Sequence, residues 1–156
     1  MLSASTQVRR PVRDVFRYVC DWRNYQDLWG ESIQILNPES LDDARLGQVT
    51  ALTQTSGKAV MHAVSTLTRF EEDRLVEWDT AFPKVVNAGR EENPPLPNVL
   101  VTCEFSEDDA LTRLKVSLKV HGKFPVAMKL IVLVGMLVKR RSLAKSLRVI
   151  KMQLET

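Results

Sequence analysis

The carboxyl-terminal segment is the feature that most constrains the fold of this chain. Pro125 fixes the backbone where a helix can begin, and the residues after it predict a helix of about 30 residues, roughly 45 Å long. Its second half has an apolar line opposed by basic side chains: Leu143, Leu147, Ile150 and Leu154 against Arg141, Lys145, Arg148 and Lys151. A helix with such a stripe needs an apolar surface to lie on.

The segments before this helix predict strands, because their side chains alternate or their apolar runs are bounded by turn residues. Between the first two strands we predict two short helices, one led by Pro11 and one that runs from Trp22 to Trp29. The predicted strands are Leu2–Val8, Ile33–Ile35, Gln48–Thr55, Ala59–Phe70, Leu75–Phe82, Val99–Phe105 and Leu111–Val120.

Strands and helices are therefore segregated along the chain, which favours an α+β fold with an antiparallel sheet of about six to seven strands. The inward side of this sheet is the large apolar surface available to the long helix. If the short helices lie at one end, the sheet must curl around the long helix, and the volume between them is a natural pocket. We predict that Pro83–Asn98, which has four prolines, is a long loop that acts as a lid or binding loop.

Length, charge, the amino terminus and the cysteines narrow the class of protein. A chain of 156 residues fits one domain, which we expect to span residues 1–156. From Val126 onwards there are seven basic residues and one acidic residue, whereas the rest of the chain has 15 basic and 18 acidic residues, so no nucleic-acid surface is predicted. The amino terminus lacks the apolar stretch of a signal peptide, and Cys20 and Cys103 lie apart in apolar runs. We therefore expect a cytoplasmic protein with buried free thiols.

The first half of the long helix differs from the second. Ala127–Val138 is apolar nearly all round, but a bilayer span needs about 20 apolar residues, so this run is too short to cross a membrane. We expect this half to meet something besides the sheet, either a partner subunit in a homodimer or a lipid. The basic stretch from Lys139 to Lys151 fits peripheral contact with an anionic membrane, or the solvated outer face of a sheet-packed helix.

The amino-terminal run RRPVRDVFRYVCDWRNYQDLW resembles a segment of the polyketide-cyclase/START-like superfamily, also called SRPBCC or Bet v 1-like. In that segment a proline-led helix with a Val-Phe pair precedes an aspartate, a polar stretch and a tryptophan. Those positions are here Pro11, Val15, Phe16, Asp21 and Trp29.

Three later segments are similar to the same family: Leu46-Gly47 before the third strand, the hairpin Phe70–Trp78, and the helix end Leu147–Glu155. The resemblance implies a helix-grip fold, in which a curved antiparallel sheet wraps around a long carboxyl-terminal helix. It also implies a hydrophobic cavity for lipids, sterols, polyketides or plant-hormone-like ligands. Some members of the family are aromatic cyclases or dehydratases, and many only bind or carry a ligand.

Large side chains on the inward faces are the predicted ligand-binding residues. Trp29 and Trp78 could stack on a flat ligand, or they could serve as core residues. Tyr25 lies in the short-helix region that guards the pocket mouth in the family, so the resemblance implies packing at the gate. The other predicted lining residues are inward positions of strands: Phe82, Val101, Val116 and Leu118.

Two residues are candidates for catalysis. His62 could act as a general base, and Arg69 could hold an anionic or carbonyl-bearing ligand. By alternation they lie on opposite faces of Ala59–Phe70, so only one of them can face the pocket unless a bulge intervenes. A histidine hydrogen-bonded on a strand is the simpler interpretation of His62. The sequence has no glycine-rich phosphate loop, no nucleophile elbow and no His/Cys cluster for zinc, so we predict neither metal nor cofactor.

The predicted function is the binding or transport of a small hydrophobic ligand, such as a lipid, a polyketide or an aromatic compound, between the sheet and the long helix. Two alternatives stay open. One is a cofactor-independent polyketide cyclase or dehydratase that uses the same cavity. The other is a protein- or membrane-interaction module that acts through the apolar and basic carboxyl-terminal helix.

Overall fold

A sheet of eight strands and three α-helices make up the described part of the chain, which in the computed structural model is every residue except Glu31, Pro94 and Pro95. The side chains of five further residues are also outside the description: Leu130, Ile131, Val132, Leu133 and Met136. The prediction that Ala127–Val138 is apolar on all sides therefore lies in part outside the described residues.

The strands are β1 (Leu2–Val8), β2 (Ile33–Ile35), β3 (Val49–Ser56), β4 (Ala59–Glu71), β5 (Leu75–Asn87), β6 (Arg90–Glu92), β7 (Asn98–Asp108) and β8 (Leu111–His121). The helices are α1 (Val12–Cys20), α2 (Tyr25–Trp29) and α3 (Val126–Glu155), with short 3-10 helices at Trp22–Asn24 and Pro38–Ser40. The strands pair antiparallel in the order β1-β8-β7-β5-β4-β3-β2, and β6 pairs with β5. This curved sheet, the long α3 and the short helices after β1 confirm the predicted α+β helix-grip fold.

The short helices lie where the sequence predicts, although the predicted helix from Trp22 to Trp29 is a 3-10 turn followed by α2. Pro11 precedes α1 with a φ of −56°, and α1 buries Val15, Phe16 and Val19 against the sheet. The carboxylate of Asp21 accepts a hydrogen bond of 3.0 Å from the backbone N–H of Arg23, which caps the next helical turn. These elements close one end of the curved sheet.

The predicted loop Pro83–Asn98 is wrong over about half its length. The strand β5 continues through Pro83 to Asn87, and β6 pairs back onto it. A proline is tolerated there because β5 has an extra residue at Phe82-Pro83: His62 of β4 pairs with Lys84, whereas Val64 pairs with Ala81. At such a bulge the missing backbone N–H costs no ladder hydrogen bond. Pro94 and Pro95 of the predicted loop lie outside the described residues.

A second bulge decides which side of β4 faces inward. Leu67 pairs with Trp78 and Arg69 pairs with Glu77, so Thr68 is an extra residue in β4. Strict alternation would place Arg69 on the same side as Leu67. Because the bulge shifts the phase by one residue, Phe70 joins Leu67 on the inner side and Arg69 points outward.

The core lies between the concave face of the sheet, α1 and the second half of α3. Phe16 of α1 packs edge-to-face on Phe70 and Phe105, with ring centroids 5.5 and 5.1 Å apart. The predicted apolar line of α3 is confirmed, since Leu143, Leu147 and Ile150 belong to this core. The second half of α3 is thereby fixed to the sheet.

The first half of α3 leaves apolar side chains in solvent. Val134, Leu137 and Val138 are 53%, 62% and 66% exposed, and Val126 at the start of the helix is 77% exposed. Their spacing of three and four residues places Val134, Leu137 and Val138 on one helical face. The sequence predicts that either a partner subunit or a lipid covers this face, and both stay predictions.

Candidate functional site

A cavity of about 390 Å³, partly open to solvent, lies between the concave face of the sheet and the middle of α3. The sheet supplies most of its wall, α2 supplies one side, and Leu96 and Pro97 supply another. Its size falls in the usual range for small-molecule sites, about 300–1,000 Å³. The second half of α3 and α1 fill the remaining concave surface, so the cavity begins where the core ends.

The structure places most of the predicted ligand-binding residues on the wall of this cavity. Those that line it are Tyr25, Trp29, Trp78, Phe82, Val101 and Leu118. Their part in binding a ligand stays a prediction, because no ligand is present. Val116 was also predicted to line the pocket, but it does not belong to the lining residues and is fully buried in the core. α1 packs against β7 and β8, and Val116 belongs to the core cluster there.

Three aromatic side chains meet at one end of the cavity. Trp78 lies between Tyr25 and Trp29, with ring centroids 6.2 and 6.5 Å away and both pairs edge-to-face. Such contacts hold the rings in fixed orientations. Burial raises the pKa of Tyr25, so its hydroxyl stays neutral at physiological pH. The arrangement offers flat apolar surfaces and a neutral hydroxyl, which suits binding of an apolar molecule.

Neither candidate catalytic residue lies on the cavity wall. His62 is on the opposite side of β4 from Met61 and Ala63, which do line the cavity. Arg69 points outward after the Thr68 bulge, and its Nη2 donates to Oε1 of Glu71 over 2.8 Å. The geometry therefore gives no support to a catalytic role for either residue.

Sequence reasoning missed the polar residues of the wall. Ser65 and Thr80 face the cavity from β4 and β5, and their hydroxyl oxygens are 2.8 Å apart, within hydrogen-bond distance. From α3 the polar lining residues are Lys139, Ser142 and Ser146. The basic stretch that begins at Lys139 fits either membrane contact or a solvated outer face, but the structure places Lys139 on the cavity wall, where desolvation lowers its pKa. The signal that could have found it is the polar spacing at positions 139, 142 and 146 on the helix.

The described part of the chain has neither a candidate metal site nor a candidate membrane-spanning helix. Within it, no group of three or more His, Cys, Asp or Glu side chains is placed to hold a metal ion. Among its helices, none combines the length and apolar content that crossing a bilayer requires.

No protein-family model matches the chain, and no curated protein matches its sequence. Solved structures do match it. Protein Ms6760 from Mycobacterium smegmatis is 18% identical, with a TM-score of 0.67 over 97% of this chain and 88% of that one. Ara h 8.0201 is 16% identical, with a TM-score of 0.61 over 98% of this chain and 95% of that one. DynU16, a protein of the dynemicin biosynthetic locus, is 13% identical, with a TM-score of 0.61 over 99% of this chain and 47% of that one.

At such low identities the likeness shows the fold alone. The agreement covers nearly the whole of this chain, from the first strand to the long helix. The chain therefore shares the helix-grip fold of these structures, which is the fold that the resemblance of its sequence implied.

Proposed function

We propose that this protein binds a small apolar molecule in the cavity between the sheet and α3. The observation that carries the proposal is the cavity itself, which side chains leave open at about 390 Å³ although protein interiors are normally close-packed. Its wall is mostly aliphatic and aromatic. Burial of apolar ligand surface there contributes about 25 cal/mol per Å².

The wall also supports selection by shape. Trp29 and Trp78 present ring faces and edges held by mutual contacts, and Phe82 lies nearby on β5. A ligand with a flat or unbranched apolar part can pack on these rings without moving the sheet. Leu96 and Pro97 close the wall between β6 and β7, so ligand entry past this segment and α2 is part of the proposal.

Filling the cavity tests this function. Ala63 is 2% exposed and lines the cavity from β4, so Ala63→Leu extends a side chain into the space that the ligand needs. We expect affinity for the neutral fluorescent probe N-phenyl-1-naphthylamine to fall at least about tenfold, because a tightly packed site cannot take both groups. Fluorescence titration of the purified protein measures the effect.

Ala81→Leu is the matched control, since Ala81 is the neighbouring alanine that pairs with Val64 on the outer face of the sheet. It should leave probe binding within about twofold of the wild type, a change of a few tenths of a kcal/mol. Thermal unfolding shows whether each variant is folded. Failure of the wild-type protein to bind the probe, or equal binding by a folded Ala63→Leu variant, would contradict the proposal.

We propose a second, separate role for the exposed apolar face of α3: peripheral contact with an anionic membrane. Val134, Leu137 and Val138 are more than half exposed on this face, and Arg141 follows one turn later on the same side. Apolar side chains beside basic ones are the pattern of helices that lie in the membrane interface. Lys129 and Arg140 add further positive charge on the same helix.

Vesicle flotation tests this contact. The protein should float with phosphatidylcholine vesicles that contain phosphatidylserine, and less with phosphatidylcholine alone, because the basic side chains attract anionic lipid. The double variant Leu137→Asp/Val138→Asp should lose flotation. Met152→Asp is the control, since Met152 is 65% exposed near the other end of α3.

Two results would remove the membrane role. One is absence of flotation with anionic vesicles. The other is a concentration-dependent dimer, seen by sedimentation, that the double variant abolishes while flotation is unchanged. The latter would assign the face to contact between two copies of the chain. A cytoplasmic location stays a prediction.

A further inference from the structure

One face of α3 brings polar groups into the apolar cavity. Gly135, Lys139, Ser142 and Ser146 all line it, at intervals of four, three and four residues. Such intervals place residues one above another on a single helical face. Apart from Gln54 and the mutually hydrogen-bonded Ser65 and Thr80 on the sheet, the rest of the wall is mostly apolar, so this stripe gives the cavity a polar side along α3.

Lys139 is the charged member of this stripe and the only charged lining residue within the described chain. None of the ion pairs found among the described residues includes it. Side chains on an α-helix lean towards its amino end, so Lys139 leans towards the turn of Gly135. A Cβ added at Gly135 would meet nothing within 4 Å, so there is open space on that side.

The surroundings of Lys139 already disfavour an unpaired charge. Desolvation lowers the pKa of its ammonium group, although the residue as a whole is exposed. A ligand that enters the cavity removes more water from the part of Lys139 that lines it. A neutral ligand would leave the ammonium group desolvated and unpaired, whereas an anionic group would pair with it.

The two serines complete a site for such a group. Ser142 lies three residues after Lys139 on the cavity side, and Ser146, one turn further, is 9% exposed. A serine hydroxyl can donate one hydrogen bond, and an ammonium group can donate three. A carboxylate has two oxygens that only accept hydrogen bonds, so it fits a lysine and a serine donor on one face.

We propose that the ligand of this cavity is an apolar carboxylic acid, bound with its apolar part against Trp29, Trp78 and Phe82 and its carboxylate at Lys139 and Ser142. This inference rests on the proposed function of the cavity. It goes further in assigning the ligand a charge and an orientation. Ser146, which is more buried on the same face, lies beside the part of the ligand that is next to its carboxylate.

The test compares two probes of equal chain length, decanoate and 1-decanol, in displacing N-phenyl-1-naphthylamine from the wild-type protein. Decanoate should bind about tenfold more tightly than 1-decanol, as expected for a charge-assisted hydrogen bond at a partly solvated site. Lys139→Met keeps an unbranched side chain and removes the charge. It should weaken decanoate about tenfold and change 1-decanol by less than about twofold.

Arg140→Met is the matched control, because Arg140 is the adjacent basic residue and does not line the cavity. It should leave the preference for decanoate unchanged, and Lys139→Arg should retain most of it. Ser142→Ala should weaken decanoate by a smaller factor than Lys139→Met does.

The outcomes separate this inference from the function on which it rests. If the neutral probe binds but decanoate and 1-decanol compete equally, the carboxylate assignment is wrong, and the Lys139 ammonium extends to solvent instead. An equal loss of both probes in Lys139→Met would also overturn it, since the lysine would then act through packing. If the neutral probe does not bind the wild-type protein, the proposed function itself fails.

Discussion

Three weakly acidic side chains are buried or half-buried in the core: Cys20, Tyr25 and Cys103. Burial raises the pKa of the Cys20 thiol from 9.0 to about 12, and burial likewise raises the pKa values of Cys103 and Tyr25. Cys103 is fully buried, and Tyr25 is 7% exposed. All three groups are therefore held in their neutral forms by the fold.

These residues predict a loss of stability in alkaline solution. In the unfolded chain the thiols ionise near their ordinary pKa, whereas in the folded protein they keep their protons to higher pH. The stabilisation is therefore complete below about pH 8.5 and is lost as the pH rises towards the folded pKa values. The midpoint of thermal unfolding, followed by circular dichroism under a reducing agent, should fall between pH 9 and pH 11, a window set by Cys20.

Removing a thiol checks the cause. The ordinary thiol pKa is 9.0, and above that pH the unfolding midpoint of Cys103→Ala should decline less steeply than that of the wild type. The substitution also lowers stability at neutral pH, because it leaves a small cavity. Met152→Ala, at a position 65% exposed, should leave the slope unchanged. A constant unfolding midpoint across the range in the wild-type protein would contradict the argument.

At the scale of elements, the two halves of α3 differ in their surroundings although the backbone is one continuous helix. Its second half buries Leu143, Leu147 and Ile150 against the sheet, whereas Leu137 and Val138 in its first half are mostly exposed. Between them the face with Lys139 and Ser142 borders the cavity. The helix therefore anchors the fold at one end and presents an apolar surface at the other.

Truncating one leucine in each half separates these roles. Leu147 is 3% exposed, so Leu147→Ala should reduce the free energy of unfolding by about 2–5 kcal/mol through lost burial and a cavity. Leu137 is 62% exposed, so Leu137→Ala should change it by less than about 0.5 kcal/mol. Urea unfolding of both variants measures the difference. Similar costs would show that the first half also packs against the rest of the monomer.

Element positions were largely predictable from local patterns. Periodicity and backbone preferences predict the first strand and the proline-led starts of α1 and α3. They also predict the apolar line in the second half of α3. The strand β6 was not predictable, because Arg90–Glu92 has no apolar alternation and is held by pairing with β5. Its partners are set by the fold rather than by its own side chains.

At the scale of the whole molecule, the cavity exists because the helices fill only part of the concave face of the sheet. One long helix is laid across a curved sheet of eight strands, and α1 with the second half of α3 fills only part of the concave face. The remainder stays open beside α2 and is lined by Trp29 and Trp78. The structures of Ms6760 and Ara h 8.0201 match this fold over nearly the whole chain.

The sequence by itself determined the order and type of most elements, with β6 and the end of β5 as exceptions, and it predicted an apolar space, because side-chain periodicity and turn residues act over a few positions. It also identified Tyr25, Trp29 and Trp78, since large inward aromatics belong either to a core or to a pocket wall. The tertiary structure decided that Phe70 rather than Arg69 faces inward from β4, because the bulge at Thr68 arises from pairing between strands. It also decided that Lys139 borders the cavity, because the direction of a helical face depends on what the helix packs against.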